Sequence, residues 1–138
     1  MLKHVVAILI FLSCASFAHA GVVVIVNPAN GNANLSKSNV KKIFLGKTSK
    51  FPNSDKAVAV DQKSGSSRSA FYKKVVKKSD AQLKSYWSRI IFTGKGQPPK
   101  QLDGDDAVKA YVAGNKDAVG FIDAAKVDKS VKVVYSAK

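Results

Sequence analysis

Glutamate is absent from this sequence, and its nine acidic residues are all aspartate. Both histidines, His4 and His19, and the only cysteine, Cys14, fall within the first 20 residues. From residue 21 onward the chain therefore lacks the three residue types on which nucleophilic triads, zinc sites and acid–base dyads ordinarily draw. A catalyst built here would have only Asp, Lys, Ser, Thr, Tyr and Arg, which leaves Ser/Lys chemistry open in principle. The chain reads as a binding domain and not an enzyme, with no catalytic residue, no metal ligand set and no cofactor expected. It can also form no disulfide once the first 20 residues are gone.

A long apolar run is missing as well. The longest, Val5 to Leu12, is too short to span a bilayer, which takes roughly 20 apolar residues. With a basic start at Lys3 and small residues at Ala18-His19-Ala20, it has the three parts of a secretory signal. Residues 1–20 are read as a signal peptide cleaved after Ala20, and residues 21–138 as one exported α/β domain of 118 residues. Lipid attachment at Cys14 is disfavoured because Leu12 puts a large residue where small ones are usual.

Negative charge is scarce. Without Lys3, 22 of the 23 basic residues face nine aspartates, a formal net charge of +13. Such a balance suits acidic partners: phosphate, other small anions, nucleic acid or an anionic membrane face. Lysines spread over every segment also make an ordinary solubilising surface, and net charge says nothing about fold.

The periodicity predicts alternating strands and helices without an internal repeat. Val22 to Val26 is an unbroken β-branched run, as expected of a strand buried on both faces in a parallel sheet. Ser36 is a candidate N-cap for a helix with Val40, Ile43 and Phe44 inward, Leu35 stapling onto Val40 and Gly46 ending it. Ala57 to Asp61 reads as a second strand, and Ser66 or Ser67 as the cap of a helix burying Phe71, Val75 and Val76. Ser79 and Gln82 form a capping box for a helix burying Leu83, Trp87, Ile90 and Ile91. Asp103 caps another, with Val108, Tyr111 and Val112 inward and its end at Gly114-Asn115; Val119 to Ile122 and Val131 to Tyr135 are the last strands. The order β-α-β-α-α-α-β-β predicts helices covering a mainly parallel sheet.

Five stretches carry a family resemblance: Ile43-Phe44-Leu45-Gly46-Lys47, Ser64-Gly65-Ser66-Ser67-Arg68 with Phe71-Tyr72, Tyr86-Trp87-Ser88-Arg89, Phe92-Thr93-Gly94-Lys95-Gly96 with Pro98-Pro99, and Ala118-Val119-Gly120-Phe121-Ile122. In this order and spacing the chain resembles the periplasmic substrate-binding proteins of phosphate ABC transporters, and most closely their short, single-lobe members. The resemblance implies a single Rossmann-like lobe of the type 2 periplasmic binding protein fold, in the periplasm, whose Ser-Gly-Ser turn donates hydrogen bonds to phosphate. It carries the ligand role to Ser64, Gly65, Ser66 and Ser67. Inorganic phosphate or a similar oxyanion is the implied ligand, and an ABC transporter or a second lobe-bearing protein the implied partner. Full-length receptors have two lobes and carry an Arg and an Asp ahead of the turn; here Asp61, Gln62 and Lys63 precede it and the arginine follows, at Arg68.

Read without the family, Asp61 to Arg68 still describes an anion site. A strand ends, a small turn follows and a helix begins, so free N–H groups and the positive end of the helix dipole face outward. Gly65 permits close approach, and Lys63, Arg68 and three hydroxyls add donors. The plainer reading is a serine-capped helix with a solvated arginine. Thr93-Gly94-Lys95-Gly96 lacks the spacing of a nucleotide-binding loop and follows a helix instead of preceding one. Lys41-Lys42, Lys73-Lys74 and Lys77-Lys78 are read as solvated helix faces, with a track for extracellular DNA, anionic lipid or an acidic envelope partner as the second functional reading.

Overall fold

The β-branched run Val22–Val26 forms β1, an interior strand of the sheet and completely buried. Its side chains alternate between two cores: Val22, Val24 and Val26 enter one, Val23 and Ile25 the other. The computed structural model describes residues 21–137, so the segment expected to be a secretory signal lies outside the described residues. Among the described residues no helix is long and apolar enough to cross a membrane.

After β1 come α1 (Lys37–Phe44), β2 (Val58–Gln62), α2 (Ser66–Phe71) running into a π-helical turn (Tyr72–Val76), and α3 (Asp80–Phe92). Then follow β3 (Lys100–Leu102), α4 (Gly104–Gly114), β4 (Ala118–Asp123) and β5 (Lys132–Ser136). The sheet order is β3-β2-β4-β1-β5. β2 pairs parallel with β3 and β4, whereas β1 pairs antiparallel with β4 and β5. Four strands thus run one way and β1 alone runs against them. The expectation of a parallel β1 is corrected: burial on both faces selects β-branched residues whichever way the neighbours run.

The larger core lies between the sheet and α1, α2 and the π-helical turn. Phe71 stacks on Phe121 at 4.1 Å between ring centroids, and Phe44 meets Phe71 edge-on at 4.7 Å. α4 closes the other core with Val108 and Val112 against Val60 and Ile122. Gly120 makes that approach possible, because a Cβ there would stand 2.5 Å from Val108 Cγ1 and 3.0 Å from Val60 Cγ2.

The caps of α1 and α3 follow the sequence. Ser36 and Asn39, and Ser79 and Gln82, form reciprocal capping boxes, and Gly46 leaves α1 at φ 70°. Three expectations are corrected. β3 was not anticipated: Lys-Gln-Leu is short, largely exposed and without alternation, and only its pairing with β2 makes it a strand. α3 buries Leu83 but not the expected stripe; Trp87 and Ile90 are half-buried, and Ile91 and Phe92 are 54% and 92% exposed. The helix instead docks by its side on the end of α1, through a Tyr86 hydroxyl donating to the Leu45 carbonyl at 2.6 Å. Finally, Asp103 makes no side-chain cap and pairs with Lys63 at 3.3 Å.

Candidate anion-binding site

β2 ends at Gln62, and the chain turns through Lys63, Ser64 and Gly65 into α2. Gln62 fixes this end of the strand from inside. Its amide donates to the Phe121 carbonyl and to Asp105 Oδ1, each at 2.8 Å, tying β2 to β4 and to the start of α4. The Lys63 N–H is taken by the Leu102 carbonyl at 3.0 Å, so β3 holds the turn from its other side.

Gly65, not Ser66 or Ser67, is the residue at the helix entrance, with φ 109° and ψ 175°. That backbone region is open essentially to glycine alone. Ser66 becomes the first helical residue, and neither serine caps, because their hydroxyls lie inside the helix start and not ahead of it. The Gly65 carbonyl is occupied by Ser69, which donates to it through its N–H at 3.1 Å and its hydroxyl at 3.2 Å. Among the described residues, the backbone N–H groups of Ser64, Gly65, Ser66, Ser67 and Arg68 meet no acceptor. Ser64, Gly65 and Ser66 are exposed, and Ser67 is buried.

The side chain of Arg68 does not stand with these donors. Its guanidinium lies 4.6 Å from the Tyr72 ring centre, one helical turn on, and Nη1 donates to Asp80 Oδ1 at 3.1 Å. Its Nε faces Asp61 Oδ1 at 3.8 Å and, though buried, has no hydrogen-bond partner. Asp61 is fully committed inside the fold: Oδ1 accepts from the Gln62 N–H at 2.7 Å and Oδ2 from the Tyr72 hydroxyl at 2.8 Å. Burial pushes its carboxyl above the ordinary aspartate range, against the opposing pull of the Tyr72 hydroxyl, the Gln62 N–H and the Arg68 charge. Burial and the Asp61 charge likewise raise the Tyr72 phenol, which stays protonated where free tyrosine ionises.

The predicted residues thus separate into two groups. Ser64, Gly65 and Ser66 form an exposed turn that continues into the buried Ser67, while Arg68 sends its charge toward Asp61 and Asp80. Sequence reasoning missed the roles of Tyr72, Asp80 and Gln62. The i, i+4 spacing of Arg68 and Tyr72 was a usable signal for the first; the other two depend on contacts between elements.

No family model matches the sequence, and no curated relative matches it. Solved structures do. A phosphate ABC transporter substrate-binding protein from Clostridium perfringens, determined with bound phosphate, is 28% identical, with a TM-score of 0.63 over 83% of this chain and 44% of that one. An ABC-type phosphate transport receptor from Vibrio cholerae is 24% identical, with a TM-score of 0.66 over 86% and 48%. PstS from Borrelia burgdorferi is 15% identical, with a TM-score of 0.58 over 83% and 46%. The resemblance carried by the sequence motifs therefore extends to the fold, and the chain spans less than half the length of the proteins it matches.

Proposed function

We propose that this chain is an exported, periplasmic anion-binding module that takes inorganic phosphate at the Ser64–Ser67 turn and serves an ABC-type phosphate uptake system. The observation that carries this reading is the run of five backbone N–H groups, Ser64 to Arg68, without an acceptor among the described residues. Converging amides at the entrance of a helix stabilise an oxyanion by direct hydrogen bonds and by the positive end of the peptide dipoles. The exposed Ser64 and Ser66 hydroxyls add donors, and Arg68 enters through its N–H.

The likeness to a phosphate-bound transport protein supports the choice of ligand, and the match covers 44% of that protein. The turn covers one side of an anion, and a second lobe or the transporter covering the other side would raise the affinity. Transport modules of this kind bind and release without chemistry, in keeping with the absence of His, Cys and Glu from residue 21 onward.

Calorimetric titration with orthophosphate tests the reading. Binding in the millimolar range or tighter is expected, weakened roughly tenfold in Ser66→Ala by loss of one donor to a charged ligand. No heat at millimolar phosphate would sink it.

A further inference from the structure

Charge is sorted over this molecule. Six of the nine aspartates lie between residues 103 and 128, and none between 62 and 79. Residues 35–79 hold twelve basic side chains against Asp55 and Asp61. On the α4 side two lysines are paired: Lys109 with Asp128 at 2.9 Å and Lys126 with Asp106 at 3.7 Å. α1 packs against the π-helical turn, and these two elements with the residues just after them carry Lys37, Lys41, Lys42, Lys73, Lys74, Lys77 and Lys78, the last of which lies over the Tyr86 ring of α3. None of these seven takes part in an ion pair among the described residues.

This part of the molecule has a recess. A cleft of about 460 Å³ opens between the π-helical turn and the start of α3, lined by Arg68, Lys73, Lys77, Lys78, Ser79 and Asp80 among others. Asp80, its one carboxylate, is already bonded to Arg68. Lys77 is held on a left-handed backbone, φ 58° and ψ 44°, which is uncommon for a residue with a side chain. Desolvation first, then the Lys77 and Lys41 charges, keep the Lys37 ammonium below the ordinary lysine range. Lys73, Lys77 and Lys78 line a recess whose one carboxylate is already bonded to Arg68, and cations clustered in this way are stabilised by an anion from outside.

We propose that this cleft is a second anion site, separate from the Ser64–Ser67 turn, for a ligand carrying several linked or clustered phosphoryl groups. Its volume lies within the range of small-molecule sites, about 300–1,000 Å³, of which one tetrahedral oxyanion would fill a small part. Three lysines without an ion pair among the described residues, Lys73, Lys77 and Lys78, match a multiply charged ligand better than a single phosphate. The same chemistry is offered by a soluble oligophosphate and by an anionic phospholipid headgroup.

Titration of the purified protein with tripolyphosphate at low salt, and co-sedimentation with phosphatidylglycerol vesicles, read the two sources separately. Two triple variants of equal charge are compared: Lys73→Gln/Lys77→Gln/Lys78→Gln in the cleft, and Lys47→Gln/Lys50→Gln/Lys95→Gln on exposed positions elsewhere. The cleft variant is expected to weaken tripolyphosphate binding about tenfold or more and the other to change it little, with strong salt dependence throughout. Vesicle binding alone, lost only in the cleft variant, assigns the site to the headgroup source. Equal loss in both variants, or binding to neither probe, overturns the proposal. Orthophosphate binding retained by the cleft variant keeps this result distinct from the fate of the turn.

Discussion

The Tyr72 hydroxyl donates to Asp61 Oδ2 at 2.8 Å, joining the π-helical turn to the end of β2 beneath the ring on which Arg68 rests. Asp61 is 3% exposed, so bulk solvent is poorly placed to replace a missing donor. Tyr72→Phe is therefore expected to cost about 1–3 kcal/mol, the desolvation of an acceptor left unpaired. Urea denaturation at neutral pH measures this; a loss below half a kilocalorie per mole would show that the contact does not hold Asp61. The deficit should shrink on acidification, because losing a donor that stabilises the carboxylate lets Asp61 protonate at higher pH.

The raised Asp61 carboxyl has a pH signature of its own. In the folded state it binds its proton more tightly than in the unfolded chain, where aspartate titrates near about 3.9. Stability from this group is greatest below the unfolded value and falls as pH rises through the window up to the folded one. Asp128 works oppositely: hydrogen bonds from Ser130 and Lys109 hold its carboxyl below the ordinary range, so its contribution is present above the unfolded value and lost as pH falls. Thermal melts of Asp61→Asn across pH 3 to 7, the span around about 3.9, should lose the falling limb and keep the acid-side loss. An unchanged profile would mean that Asp61 titrates as an exposed aspartate.

Gly120 lets α4 reach the sheet. Gly120→Ala sets a methyl against Val108 and Val60, and overpacking of this kind costs about 1–3 kcal/mol. Val108→Ala leaves a cavity by itself, yet in combination it makes room for the new methyl. The double variant should be more stable than the sum of the two losses predicts, as coupled neighbours are. Additive losses in chemical denaturation would place the strain elsewhere.

How much of this was legible in the sequence depends on how local each feature is. Ser36–Asn39 and Ser79–Gln82 bond within one turn of helix, so spacing alone located both caps. The two-faced burial of Val22–Val26 could be read, but its antiparallel pairing could not, because direction is set by β4 and β5 a hundred residues away. Trp87, Ile90 and Ile91 have helical spacing, yet spacing cannot say how far a helix lies along its core, and α3 touches the body by one side only. At the turn, the Ser-Gly-Ser pattern and the strand end were visible. The diversion of Arg68 was not, since Asp61 and Asp80 capture it through the fold.

Gly65 is where the geometry of the turn can be tested apart from its chemistry. A Cβ there would meet nothing within 4 Å, so Gly65→Ala introduces no clash. Its penalty comes from the backbone alone, about 1–3 kcal/mol for holding alanine in a region essentially reserved for glycine. The chain can relieve that strain by rotating the peptides on either side, which would redirect the Ser64, Gly65 and Ser66 N–H groups. The variant should then stay folded, with a lowered melting temperature, and lose orthophosphate binding more completely than Ser66→Ala, which removes one hydroxyl and leaves every amide in place. Should Gly65→Ala bind orthophosphate as well as the parent while melting lower, the amides of this turn are not the groups that hold the anion.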